Sequence, residues 1–404
     1  MARADAVRAR GLTTKGRFSV EQVSRADFEV LVDGASTDRE PSSHAADELD
    51  DERVRDLLLS RREPRTTSEG VGAERANLAA QASGLYVPAR KTLFIVDDGP
   101  GAADGTVLVH EFVHALQDEH FDLAPRLRED ALGADALNAR HALAEGDATF
   151  AVLRDANLLE PIDEAFLSTF TKSFAAANRK SAGDGAEVIE ADALSAPYVY
   201  GTRFVWSLYQ SGGWSAVNAA WKRPPTTTEQ LLHLAKYRAR EPPVRLRGSV
   251  PPPTGYALRV RWALGELDLR AWLALFVPDE EAAALAEGWG NGFVELYGAD
   301  TRPKDSRALR VRVRWDDRKG AQASRTRERL EHAFRKRFGL PSTHAGVTCF
   351  ERLAVGPIAL AASPQELAVY AGLTRFTAHE HDAVALQSSC DEVFRWAARA
   401  MPAR

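Results

Sequence analysis

His110-Glu111-Phe112-Val113-His114 decides the reading of this chain. On a helix, residues four apart stack on one face, so the two imidazoles can hold one metal ion together. Glu111 directly follows the first histidine, where its carboxylate can reach a water on that metal. Two ligands, a base and an open coordination position are the parts of a metal-assisted hydrolytic site. Val109, Phe112, Val113 and Leu116 cover the face that the histidines leave. The helix is therefore apolar almost all round, as a buried active-site helix needs. Its start is expected close to Asp104-Gly105-Thr106.

Working outward, YVPARKTLFIVDD precedes the motif. Its Lys91 to Val96 read as a buried strand between Pro88 and the turn-rich loop DDGPGAADG. Such a strand could also pair with an extended peptide. Downstream, ADALNARHALAEGDATFAVLRDANLL predicts a long helix over 134–159. A catalytic zinc takes three protein ligands and a water, and Glu145 on this helix is the candidate third ligand. Gly146 removes a side chain beside that carboxylate, so two helices can approach closely there. Ala142, Ala144 and Ala148 keep the same surface small. Asp147 is read either as a partner for the ring N–H of a ligating histidine or as an exposed helix aspartate.

Two histidines compete with Glu145. His141 stands one turn before it. His120 completes a spacing like the three-histidine HExxHxxGxxH pattern. That pattern needs a glycine where this chain has Gln117, and a methionine turn where it has only Met1 and Met401. A donor for a developing oxyanion is sought among Tyr198 and Tyr200 in APYVYG and His233 in TEQLLH.

HExxH followed by a glutamate in an EGxA context resembles the gluzincin group of zinc metallopeptidases. More closely, HEFVHALQDEHFDL, ALAEGDAT, APYVYGTRFVWSLYQSGGW and PPTTTEQLLH resemble a set of bacterial HExxH proteins over roughly residues 80–300. The turn GWGNG departs from the GWGGD-like form of that set, which leaves no acidic residue to carry over there. The resemblance implies a zincin-like α+β fold and zinc-dependent hydrolysis of peptide bonds. It implies zinc on His110, His114 and Glu145, and Glu111 as general base. It also implies export with the leader removed, since MARADAVRARGLTTKG has positive charge but no apolar signal region.

The remainder bounds the answer. With 45% hydrophobic and 27% charged residues, the 404-residue chain is composed as a globular protein with room for more than one domain. A net charge of −5 gives no reason to expect nucleic acid as a partner, and no apolar run reaches the length of a membrane span. The expected partner is a peptide or protein substrate. The expected division is an N-terminal segment over 1–75, a mostly helical core with a small mixed sheet over 76–300, and a small α+β unit over 301–404. The first segment contains the helix DELDDERVRDLLLSRR and could lie across the cleft of a latent enzyme; another helix, GAERANLAAQA, follows and ends near Gly84. Helical segments are also expected over 162–180 and 197–221, and Thr226 with Glu229 fits a capping box before TTEQLLHLAKY. Leu309, Val311, Val313 and Trp315 alternate with arginines, which reads as a half-exposed strand with a solvated basic face. The tryptophans mostly fall on apolar stripes and read as core. Cys349 and Cys390 lack metal-ligand spacing and could form a single disulfide in an exported protein. The alternative to an enzyme is a non-catalytic protein that keeps the zinc site for structure or binding.

Overall fold

A computed structural model describes residues 1–36, 84–97, 105–128, 132–156, 162–179, 185–246, 251–299, 307–316, 321–352, 356–379, 382–386 and 389–400. The two helices expected between 36 and 84 and most of the loop DDGPGAADG lie outside these residues. Helix α1 (Ala2–Arg10) leads into strand β1 (Ser19–Val23) and α2 (Arg25–Ser36). Strands β2 (Gly84–Val87) and β3 (Thr92–Val96) follow. These strands form a small mixed sheet in the order β1-β3-β2, with β1 parallel and β2 antiparallel to β3. The expected strand at 91–96 is thus the central one. It has neighbours on both sides and cannot accept a further strand, so the pairing with an extended peptide expected for it is ruled out. Among the described residues, the free edge nearest the motif belongs to β2.

The helical layer comprises α3 (Gly105–Phe121), α4 (Leu123–Arg126), α5 (Ala134–Ala156), α6 (Glu164–Arg179), α7 (Gly185–Lys222), α8 (Thr228–Leu232) and α9 (Leu234–Ala239). The motif lies on α3. Val109, Phe112, Val113 and Leu116 are buried as their spacing predicts, against Ala6, Ala9 and Leu12 from the N-terminal segment. Arg10 is wholly buried and pairs with Asp147 of α5 (Nε to Oδ1, 2.5 Å). Asp147 also accepts from the Trp221 indole N–H at 2.8 Å. It is therefore neither exposed nor a histidine partner, because a cation from α1 reaches it first. Helix α7 breaks at Gly212-Gly213, where Gly213 takes φ 60° and turns Trp214 back over Arg10.

Gly146 and Gly201 set the crossing of α5 and α7. A Cβ on Gly146 would stand 2.0 Å from the carbonyl carbon of Gly201, and one on Gly201 would stand 1.9 Å from the Ala142 oxygen. The two backbones touch, which only paired glycines permit. Further along, the cap of α8 is one residue later than the sequence suggests: Thr227 Oγ1 accepts the Gln230 N–H at 3.1 Å. Glu229 is drawn off to Lys236 instead of closing a box.

The C-terminal part contains β4 (Tyr256–Ala263), α10 (Glu266–Ala274), α11 (Asp279–Ala286), β5 (Trp289–Ala299), β6 (Arg307–Trp315), α12 (Gln322–Phe338), β7 (Ser342–His344), β8 (Val347–Phe350), β9 (Ile358–Ala362), β10 (Glu366–His379), β11 (Asp382–Leu386) and α13 (Cys390–Ala400). The strands form one eight-stranded sheet in the order β4-β5-β6-β10-β9-β8-β7, with β11 on β10. The sheet therefore begins at Tyr256, before residue 300. Val311, Val313 and Trp315 pack on one face with α10, α11 and α12. The other face is covered too: Tyr297, Ala308 and Tyr370 meet Val393 and Trp396 of α13, which Cys349–Cys390 ties to β8. This corrects the half-exposed reading of β6. Arg310 and Arg312 are only 2% and 7% exposed and pair with Glu295 and Glu366. The alternation is real, but it separates an apolar covered face from an ion-paired covered face.

Candidate metal centre

The three ligand atoms offered by His110, His114 and Glu145 converge. His110 Nε2 lies 3.0 Å from His114 Nε2 and 3.1 Å from Glu145 Oε2, and the third edge, His114 Nε2 to Glu145 Oε2, is 3.4 Å. Zinc bonds of about 2.0–2.2 Å at tetrahedral angles separate ligand atoms by roughly 3.3–3.6 Å. The observed triangle is a few tenths of an ångström tighter, so the residues fit a tetrahedral ion, whose fourth position is left open among the described residues. All three side chains keep 12–21% exposure, which gives that position a route to solvent.

The three groups also hold one another. Burial opposes a charged His114, but the Glu145 carboxylate outweighs it and lifts the imidazole to about 9. Burial likewise opposes a charged Glu145, and His114 and His110 overcome it and hold that carboxyl well below its ordinary range.

Glu111 stands beside this triangle. Tyr86, on the free edge of β2, donates its backbone N–H to Glu111 Oε2 at 2.7 Å. Burial pushes the Glu111 carboxyl up, against the pull of His114 and His110. That bond anchors one of its two oxygens to the strand.

Tyr198 of α7 stacks on His110, with ring centroids 6.1 Å apart and planes at 30°. Its hydroxyl bonds Glu145, and the Glu145 charge together with burial holds it protonated well above its usual range. The Gly146–Gly201 contact sets this register: Tyr198 lies one turn before one glycine, and Glu145 directly precedes the other. Tyr200 falls on a different side of α7. It lines a cavity near Arg270, and burial raises its hydroxyl. His233 is also elsewhere, with Nε2 3.0 Å from both oxygens of the buried Glu266. His120 Nε2 donates to the Thr13 carbonyl oxygen at 2.8 Å. His141 lines the cavity on the α5 face next to Glu145, and burial lowers its imidazole.

The rest of HEFVHALQDEHF is occupied as well. Gln117 Oε1 lies 2.9 Å from His114 Nδ1 while its amide N–H donates to the Ala144 carbonyl at 3.1 Å. Asp118 accepts from the Tyr86 hydroxyl at 2.7 Å. Glu119 accepts the backbone N–H groups of Lys15 and Arg17 at 2.7 and 2.5 Å, tying the N-terminal segment to the end of α3. Sequence reasoning missed Gln117 and the Tyr86 N–H. A polar residue one turn after the second histidine was the available signal for Gln117. Nothing marked Tyr86, because a backbone donor has no side-chain signature.

No protein-family model, curated protein or solved structure matches the chain. The metal-site reading therefore stands on this geometry.

Proposed function

We propose that the chain is a zinc-dependent metallopeptidase of gluzincin type. The observation that carries this reading is Glu111: a half-buried carboxyl, pinned by one oxygen to β2, beside three convergent ligand atoms. A site that only held structure would need the triangle and not this carboxyl. His110, His114 and Glu145 would hold the zinc. When bound, the ion supplies a Lewis acid and a water acidified towards a pKa of about 7. Glu111 Oε1 takes the proton of the attacking water, and the same oxygen returns it to the leaving amine. Its burial raises its basicity and so suits it to both halves of the transfer. The Tyr198 hydroxyl, which stays protonated, can turn from Glu145 to the developing oxyanion. Tyr200 and His233, candidates from the sequence, would need a large rearrangement to do so.

The substrate class fits two features. The β2 edge gives an extended peptide a strand beside Glu111. A cavity of about 1180 Å³, mostly apolar, opens on the α5 and α7 surface and is floored by Trp272, Val294 and Val311. Its size suits several apolar residues; His141, one turn before Glu145, is its link to the centre, whose own residues do not line it. Among the described residues no helix is long and apolar enough to cross a membrane.

Purified protein is expected to carry about one zinc per chain at neutral pH. Glu111→Gln should keep that zinc and lower hydrolysis of a mixed peptide library by about 10²-fold or more. Zinc retained with no hydrolysis by the unaltered chain would favour the non-catalytic alternative. Hydrolysis surviving Glu111→Gln would remove the assigned base.

A further inference from the structure

Gln117 is fully buried and both ends of its amide are engaged. The Ala144 carbonyl can only accept a hydrogen bond, so the amide nitrogen must face it at 3.1 Å. That fixes the orientation of the group, which a lone contact to an imidazole would leave ambiguous. Oε1 is then the atom 2.9 Å from His114 Nδ1, and because it can only accept, Nδ1 must carry a hydrogen. The lone pair of the neutral ring is therefore on Nε2, the atom in the triangle with His110 and Glu145. The same side chain spans two elements. Gln117 rides on α3 with both histidines, and Ala144 directly precedes Glu145 on α5.

We propose that Gln117 is the positioning residue of the metal centre: its amide fixes the His114 tautomer and ring angle and locks them to the α5 turn that presents Glu145. This rests on the metal-binding reading above, but it assigns a residue that reading does not need. It does not touch substrate, and it acts through His114. An imidazole without a partner on Nδ1 can rotate or place its hydrogen on Nε2, and either change removes a ligand from the triangle. Partners of this kind are worth 10- to 100-fold in metal affinity. The bridge is not needed to hold the fold. Ala144 lies inside α5, so its carbonyl keeps its helical bond without Gln117, and an apolar residue of similar volume can fill the space.

The test compares Gln117→Leu with Gln117→Glu by zinc competition against a chromophoric chelator, with thermal unfolding of the zinc-free proteins alongside. The leucine variant should bind zinc 10- to 100-fold more weakly while its zinc-free midpoint stays near that of the unaltered chain. The glutamate variant keeps an acceptor for Nδ1 and should recover most of the lost affinity. Its tie to the Ala144 carbonyl is lost, so recovery should be incomplete. Unchanged affinity in Gln117→Leu overturns the proposal. So does a loss matched by an equal fall in zinc-free stability, or a glutamate variant no better than leucine. Failure of the unaltered chain to bind zinc would instead overturn the metal reading itself.

Discussion

Glu145 has two kinds of neighbour with different demands. The histidines want its negative charge, and the Tyr198 hydroxyl bonds the same carboxylate. Tyr198 is therefore held at the centre with its hydroxyl protonated, and the proposed reaction would use that hydroxyl as a donor. Tyr198→Phe keeps the ring on His110 and removes only the hydroxyl. We expect zinc content to be unchanged, KM to move little and kcat to fall on the order of 10²-fold. Tyr200→Phe, whose ring lines the cavity instead, should leave kcat within about threefold. Equal behaviour of the two variants in steady-state hydrolysis would move the oxyanion donor elsewhere. The sequence could not choose between these tyrosines. Both sit in APYVYG, two residues and about 200° apart on a helix, and the choice depends on how α7 is rotated. The histidines and Glu145 were legible because their partners lie at fixed helical spacing or beside a glycine that advertises a crossing. Rotation of a third helix has no such local mark.

That rotation is decided by the helix pair. With Gly146 and Gly201 in backbone contact, α7 can neither roll nor slide without a clash, and Tyr198 is delivered to Glu145. Gly146→Ala puts a Cβ 2.0 Å from the Gly201 carbonyl carbon, and the obstacle is backbone with no side chain to swing away. The helices must separate. We expect a loss of about 3 kcal/mol or more in urea unfolding, together with weaker zinc binding because Glu145 moves with its helix. An alanine variant with unaltered unfolding midpoint and zinc content would show that the crossing is looser than this. Gly146 was readable as a close approach because it sits beside a candidate ligand in a run of alanines. Its partner Gly201 was not, since a glycine in YGTR has no pattern that names what it meets. The strands show the same limit. The period of β6 was plain, but whether its arginines meet water or carboxylates depends on Glu295 of β5, Glu366 of β10 and the cover of α13, which no local pattern in β6 names.

At the scale of the whole molecule, the helical layer and the large sheet meet around a buried acid. Asp135, at the start of α5, accepts from the Thr228 hydroxyl at 2.6 Å and from its backbone N–H at 3.2 Å. Its Oδ1 lies 1.8 Å from where a Gly265 Cβ would be, so the turn from β4 into α10 closes directly on the carboxyl. Burial pushes Asp135 up to about 7, and Asp268 and Glu266 add to the rise while the Thr228 bonds oppose it. Glu266 is itself tied to His233 and Arg270, which limits its share. An unfolded aspartate releases its proton near pH 4. Between about pH 4 and 7 the folded protein keeps a proton that the unfolded chain has given up, so the contribution of Asp135 is fully present below this window. It is lost as the pH rises through 7, where the joint must hold a charge. Asp135→Asn retains an acceptor for Thr228 and cannot ionise. The stability of this variant relative to the unaltered chain, read by urea unfolding at a series of pH values, should climb from pH 4 to pH 8. A difference that stays flat across that range would mean that Asp135 is already ionised in the folded protein and that the joint tolerates its charge.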